Sequence, residues 1–330
     1  MSALRVVAVD EAVRARQIQN RARLAWVAAA GVLSLALTVL PLADLGAWSQ
    51  VALGRFITAH GIPGVEPFSY LPVAGPWVVP GWLHDVVLSV IVSAGGQSAA
   101  SIVTGLVASG GLVLAALAVR SRTQVPGVWL AIAILVAALV ARPFLTAGVA
   151  VSLLGAGAAL HVLGRWRDGG TRVAWLLPPL FLLWANLDAG FVPGLAIVLA
   201  AWLCADRSQP ARRRLLLQAL VFSVVATLVT PFGPALYQSL LTSALAPGFA
   251  SPDFHDTWLR LFEAAGALLV IAWVAAGGAE RTDVALGIGS MALALWSQKF
   301  VVLFAVIAAA QLGPYGWRAW QRAVAPRLPQ

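Results

Sequence analysis

Apolar residues run through this chain in long stretches separated by short polar clusters, with no strict alternation and no narrow amphipathic stripe. The stretches cover 24–42, 82–119, 126–141, 145–164, 173–186, 190–205, 215–231, 260–277, 284–298 and 300–314. Stretches of this kind predict helices with lipid as solvent, so the expected fold is all-α, a polytopic membrane bundle of about ten spans. The run 82–119 is too long for one passage: at about 1.5 Å per residue it would make roughly 57 Å of helix against a hydrocarbon core of about 30 Å. Gly95 and Gly96 are the expected break. The part 82–94 then lies in the interface or re-enters, and the rest makes one net crossing. Several later runs are short and come in close pairs, joined by Arg142-Pro143, Asn186-Leu187-Asp188 and Gln298-Lys299. Tight turns at membrane depth are tolerated only beside protein or a water-filled cavity, so a recessed polar cavity on the joined side is expected.

Charge fixes the sidedness. Alternating spans leave only Arg55, Arg142, Arg260 and Lys299, of 22 Lys and Arg, on the outer face. Seven of the 13 acids join them: Asp44, Glu66, Asp85, Asp188, Asp253, Asp256 and Glu263. This is a positive-inside asymmetry, with both termini expected in the cytoplasm. It divides the chain into a basic cytoplasmic tail (1–24), one membrane domain (25–315) and a second cytoplasmic tail (316–330). The outer loops are 43–81, which is large, and 232–259. Two passages for 82–119 would reverse every later loop, against the arginines.

A composition 60% hydrophobic and 11% charged, with mean hydropathy +0.87, excludes a soluble domain. The net charge of +9 is carried in short loops, where it sets topology and meets anionic headgroups rather than nucleic acid. A lone Cys204 excludes an intrachain disulfide and a cysteine-based metal site. No small-residue cleavage site follows the first apolar run before Asp44, so the amino terminus is expected to stay as a signal anchor. Residues 9–23 form either a short amphipathic helix on the leaflet or a solvated tail.

The first outer loop carries Asp44-Leu45-Gly46-Ala47-Trp48, Gly54-Arg55, His60-Gly61-Ile62-Pro63, Glu66-Pro67-Phe68-Ser69, Gly75-Pro76-Trp77, and Trp82-Leu83-His84-Asp85. This order resembles the first extracytoplasmic loop of bacterial polytopic glycosyltransferases of the GT-C type. There, Asp-x-Asp and Trp-Trp-His precede Gly-Arg, Gly-x-Pro, Asp-Pro-Phe-Ser, Gly-x-Pro-Trp and Glu-Trp-Leu. Trp184-Ala185-Asn186-Leu187-Asp188-Ala189-Gly190-Phe191 is similar to the family's Ala-Asn-Leu-His-Gly-Gly-Phe. Ala141-Arg142-Pro143 and Thr230-Pro231-Phe232-Gly233 are weaker echoes. The chain departs from the pattern at Gly46, in place of the second aspartate, at Ser49 and Gln50, in place of Trp-His, and at Asp188, in place of a histidine.

The resemblance implies a GT-C-like domain in the bacterial inner membrane and a sugar donor linked to polyprenyl phosphate. Such transfer needs a base for the acceptor hydroxyl and cations for the leaving phosphate. Asp44 is the candidate base; its alternative is a helix-terminal aspartate paired with an arginine. Arg142 and Lys299 are candidates to clamp the phosphate, or else snorkel to headgroups or pair with Asp188. Asn186 and Asp188 either line the cavity and bind an acceptor hydroxyl, or Asp188 caps the helix starting near Gly190. Glu66 is a further substrate-binding candidate, although Glu66 and His60 beside prolines also suit a structured turn. Asp85 is expected to cap its helix, with His84 at the interface. His161 is assigned a structural role.

The 14 tryptophans are expected to form an interfacial belt, some of them stacking on sugar. No cofactor is implied, and a divalent metal has a poor start in Asp44 alone. No phosphate loop, dinucleotide fingerprint, paired metal-ligand histidines or Gly-x-Ser-x-Gly elbow is present, which disfavours cytosolic nucleotide chemistry. Two further classes stay open. One is a non-catalytic scaffold or lipid-binding subunit of a larger membrane complex; the other, a lipid or solute carrier, lacks inverted repeats.

Overall fold

A computed structural model describes residues 2–41, 45–69, 77–118, 124–245 and 257–323. They form twelve α-helices and three short 3-10 turns, with no strand among the described residues. Five helical stretches are long and apolar enough to cross a membrane: Gln17–Thr38, Trp82–Ala116, Gly127–Phe144, Ala147–Arg167 and Gln298–Ala323. They mark a multi-pass membrane protein. Ten crossings are not shown.

The helix α1 (Ser2–Thr38) carries the basic tail and the first apolar run in one element. The first outer loop is not all loop, because α2 (Leu45–His60) occupies its start. Ala47, Val51, Gly54 and Ile57 recur at three- and four-residue steps and are buried, which is the helical period that motif spacing concealed. The helix stops at Gly61, whose φ of 82° continues no helix.

In α3 (Trp82–Ala116), Gly96 has φ 69° and ψ −169°, a break at the expected position. The part before the break packs Leu88 with Val51 of α2, and a Cβ on Gly54 would lie 2.0 Å from the Asp85 carbonyl oxygen. The part after it packs on α1, where Ser34 and Ser109 hydroxyls meet at 2.5 Å and Thr38 donates to the Gly105 carbonyl at 3.1 Å. Side-chain hydroxyls bridging two helices stand in for an apolar driving force that lipid does not supply.

Next come α4 (Gly127–Ala141), a 3-10 turn at Arg142–Phe144, and α5 (Ala147–Arg167). The crossing of α3 and α5 is glycine-made. A Cβ on Gly157 would sit 2.1 Å from the Gly111 carbonyl oxygen, and one on Gly164 2.2 Å from that of Ala118. The pairs Gly111–Gly157 and Ala118–Gly164 advance together, so these two helices run parallel; Gly31–Val113 and Thr38–Gly105 run opposite, so α1 is antiparallel to α3.

A 3-10 turn at Thr171–Leu176 leads into α6 (Leu177–Leu187), then α7 (Phe191–Leu203) and α8 (Pro210–Ala226). With 11 and 13 residues, α6 and α7 each reach only about 16–20 Å, short of a hydrocarbon core. The second outer loop also holds a helix, α9 (Ala235–Leu245). The last elements are α10 (Thr257–Ala275), α11 (Arg281–Trp296), a 3-10 turn at Gln298–Phe300, and α12 (Val301–Ala323). Leu130, Ile134, Ala137, Ala138 and Ala141 of α4 are sealed against the rest of the core. Gly313 of α12 meets Leu130, and Gly316 meets Trp129. Following these two antiparallel helices away from that crossing brings Arg142 and Lys299 to the same end of the bundle.

Candidate functional site

The polar groups at that end converge on the turn between α6 and α7. Asp188 leaves α6 in an extended conformation (φ −163°, ψ 153°), which turns its carboxylate back into the bundle. One oxygen, Oδ2, accepts from the Ser152 hydroxyl of α5 and from the Gly190 backbone N–H at 2.7 Å. The other, Oδ1, faces Gly148, where the Gln50 amide of α2 also approaches; a Cβ on Gly148 would lie 3.0 Å from Oδ1 and 3.9 Å from Gln50 Nε2. Gly190 has to be small, since a Cβ there would fall 1.7 Å from Ser152 Oγ. Asp188 thus closes a tight turn onto Gly190 with a half-buried partner on α5, while α7 itself has Gly190 as its N-cap and no side-chain cap.

Trp184 supports this arrangement from below the turn. Its ring lies between Gly155 and Gly194, at either of which a Cβ would come within 2.4 Å, and its Nε1–H points to Ser152 Oγ at 3.4 Å.

Asn186 ties three elements together. Its Oδ1 accepts from Trp82 Nε1 at 2.9 Å, and its Nδ2 donates to the carbonyls of Leu182 and Val229 at 2.9 and 3.0 Å. The amide therefore fixes the start of α3 and the segment after α8 against α6. Gly81, with φ 84°, lets α3 begin against the Leu187 carbonyl, where a Cβ would be 2.7 Å away.

Asp85 does not cap α3: the N-cap is Gly81, and no side chain caps the helix. Asp85 is instead 4% exposed and faces the 7% exposed His84, with Nδ1 to Oδ1 at 3.4 Å. His84 also lies within electrostatic reach of Asp188. The sequence reading missed Ser152, Gln50 and the His84–Asp85 pair as site residues. A serine in the small-residue run of α5 and a histidine next to an acid were the available signals.

The remaining candidates spread more widely. Asp44 lies outside the described residues and immediately precedes α2 in the chain. Arg142 opens the 3-10 turn between α4 and α5, and Lys299 sits in the one between α11 and α12; both are exposed. Arg142 forms no ion pair with Asp188 among the described residues. Glu66 is half-buried in the segment after α2, which the Trp77 N–H closes by donating to the Gly64 carbonyl at 3.2 Å. His60 stacks on Phe56 at 4.7 Å, and Phe68 meets Phe56 edge-on, consistent with a structured turn. Among the described residues no group of three or more His, Cys, Asp or Glu is arranged to hold a metal ion. Comparison of the chain with protein-family models, with curated proteins and with solved structures returns no match.

Proposed function

We propose that this chain is an inner-membrane glycosyltransferase of the GT-C type that moves a sugar from a polyprenyl-phosphate donor to an extracytoplasmic acceptor, with both termini in the cytoplasm. The observation that carries the reading is the grouping of Asp188, Ser152, Gln50 and the His84–Asp85 pair at one bundle end, beside the helix that Asp44 precedes. Gln50 and Asp188 occupy the two places where the family pattern has histidine, and they border one spot. In the proposed reaction Asp44 takes the proton of the acceptor hydroxyl as its oxygen bonds to the sugar's anomeric carbon. The bond from that carbon to the phosphate breaks, and polyprenyl phosphate leaves with the electron pair. Arg142 and Lys299, exposed at the same end, are the groups to hold that phosphate. Asp188, Asn186 and Glu66 are proposed to border the acceptor.

A second reading has its own support. The Asp188 carboxylate and the Asn186 amide are engaged by protein groups, as a scaffold requires. The test is purified protein in nanodiscs with a radiolabelled polyprenyl-phosphate sugar and membrane extract as acceptor source. Transfer that is lost in Asp44→Asn at unchanged membrane insertion supports the enzyme. Full transfer in that variant rejects Asp44 as base, and absence of transfer with stoichiometric co-purification of other membrane proteins favours the scaffold.

A further inference from the structure

At the end of the bundle opposite Asp188, the last turns of α5 and α7 and the first turns of α8 and α11 border an open cleft of about 490 Å³. Trp166, Cys204, Arg212, Arg213 and Arg281 line it. Two of these arginines are held in place by aromatic rings. Arg212 lies 5.1 Å from the centre of the Trp166 ring, and Arg213 4.7 Å from that of Trp202. Arg212 is further fixed by donating to the Trp166 carbonyl and to Gln209 Oε1 at 2.8 Å.

A solvated basic face, the ordinary product of positive-inside topology, would leave its guanidinium groups in water. Here Nε of Arg212, Nε of Arg213 and Nε1 of Trp166, all on residues that line the cleft, are buried without a hydrogen-bond partner among the described residues. Trp166 is only 6% exposed. Buried N–H donors are nearly always satisfied, and leaving one unpaired costs about 1–3 kcal/mol, so three in the wall of one cleft point to an acceptor that completes them.

Two of the acids nearby, Asp206 and Asp283, do not fill that role. Asp206 turns to Ser208, accepting from its N–H at 2.9 Å and its hydroxyl at 2.6 Å, and these bonds hold its carboxyl below the usual range. Asp283 pairs with Arg167 at 3.0 Å. With that pair set aside, Arg212, Arg213 and Arg281 face Asp206 and Glu280 around the cavity, an excess of positive charge.

We propose that this cleft binds a phosphate ester of net negative charge, one without a compensating cation, with Arg213, Arg212 and the Trp166 indole N–H as its donors. Guanidinium groups and N–H donors fixed by neighbouring rings match the several acceptor oxygens of a phosphate. The volume lies within the range of small-ligand sites, about 300–1,000 Å³, and exceeds what a bare phosphate ion fills, so an ester with a polar headgroup fits best. The inference is independent of the transferase reading, because it concerns the other end of the bundle and needs no turnover.

The single cysteine supplies the readout. Cys204 is half-buried in the cavity wall, so its alkylation by a maleimide in the purified full-length protein reports whether the cavity is filled. The probes are phosphatidylglycerol, phosphatidylcholine, glycerol phosphate and inorganic phosphate, at constant ionic strength. Slowing by phosphatidylglycerol alone identifies a lipid headgroup, whereas slowing by glycerol phosphate or phosphate identifies a soluble source. Either outcome supports a phosphate site if Arg213→Gln raises the half-effective concentration by about tenfold or more, the loss expected for one charge-assisted hydrogen bond.

Trp166→Phe, which keeps the ring and removes the N–H, should shift it in the same direction. Arg165→Gln removes the same charge from an exposed residue outside the cavity lining and should not. The proposal is overturned if no phosphate compound slows the labelling. It is equally overturned if phosphatidylcholine slows it as much as phosphatidylglycerol, or if Arg165→Gln weakens protection as much as Arg213→Gln.

Discussion

The Ser152 hydroxyl donates to the same Asp188 oxygen that receives the Gly190 N–H, and so α5 holds the turn joining α6 to α7. Replacing Ser152 with alanine removes one of two described donors to that oxygen and leaves Trp184 Nε1 without its acceptor. A destabilisation of about 1–3 kcal/mol is expected, read as a lowered unfolding midpoint of the purified protein in detergent. Gly190→Ala should be worse than Ser152→Ala, because its Cβ has no space beside Ser152. An unchanged midpoint in both variants would mean that this contact does not hold the turn.

Trp82 and Asn186 offer an ordered pair of substitutions. Trp82→Phe loses one neutral hydrogen bond and should cost about 1 kcal/mol. Asn186→Ala loses that bond together with those to Leu182 and Val229, and should cost clearly more. The double variant should resemble Asn186→Ala, since the Trp82 bond is already absent in it. Additive losses in thermal unfolding would show that the Trp82 indole acts elsewhere, for example as the interfacial anchor that its sequence position suggested.

How far the sequence discloses this architecture depends on what each signal measures. Apolar run length located most helix centres, and two adjacent glycines marked the break in α3, because both follow from local properties of the chain. The helix α2 was hidden: its buried stripe of Ala47, Val51, Gly54 and Ile57 is interrupted by Arg55 and Ser49, residues that drew attention as motif members. Run length also does not give helix length, and the runs read as crossings at 173–186 and 190–205 hold helices α6 and α7 of only 11 and 13 residues. At the site, Asn186 and Asp188 were legible as polar residues between apolar runs. Their partners Ser152, Trp82 and Gln50 come from distant parts of the chain, and only the packing of α2, α3 and α5 brings them together. The stacked arginines were invisible for the same reason, since topology accounts for their charge but not for the rings beneath them.

The crossing of α3 and α5 predicts a contrast between two glycines. Gly157→Ala places a Cβ on the Gly111 carbonyl and must push two helix backbones apart, at a cost of about 1–3 kcal/mol or more. Gly289, in α11, has open space at its Cβ position, and alanine there should be neutral or stabilising by up to about 1 kcal/mol. Unfolding midpoints of the two variants, measured in the same detergent, should therefore move in opposite directions or at least differ clearly. Equal effects would indicate that α3 and α5 are not in backbone contact in the membrane.

Sidedness can be tested at Cys204, which lies just past α7 at the end of the bundle that carries Arg165, Arg167, Arg212 and Arg213. Because α3 and α5 run parallel and α1 runs against α3, the arginine-bearing ends of these helices share one face, which the positive-inside rule would assign to the cytoplasm. A membrane-impermeant maleimide should leave Cys204 unmodified in intact cells and modify it in inverted vesicles. A cysteine placed at Arg142 in a Cys204→Ser background should show the reverse pattern. Labelling of Cys204 from outside intact cells would invert the molecule, and would put Asp188, Arg142 and Lys299 on the cytoplasmic side, where an extracytoplasmic acceptor could not reach them.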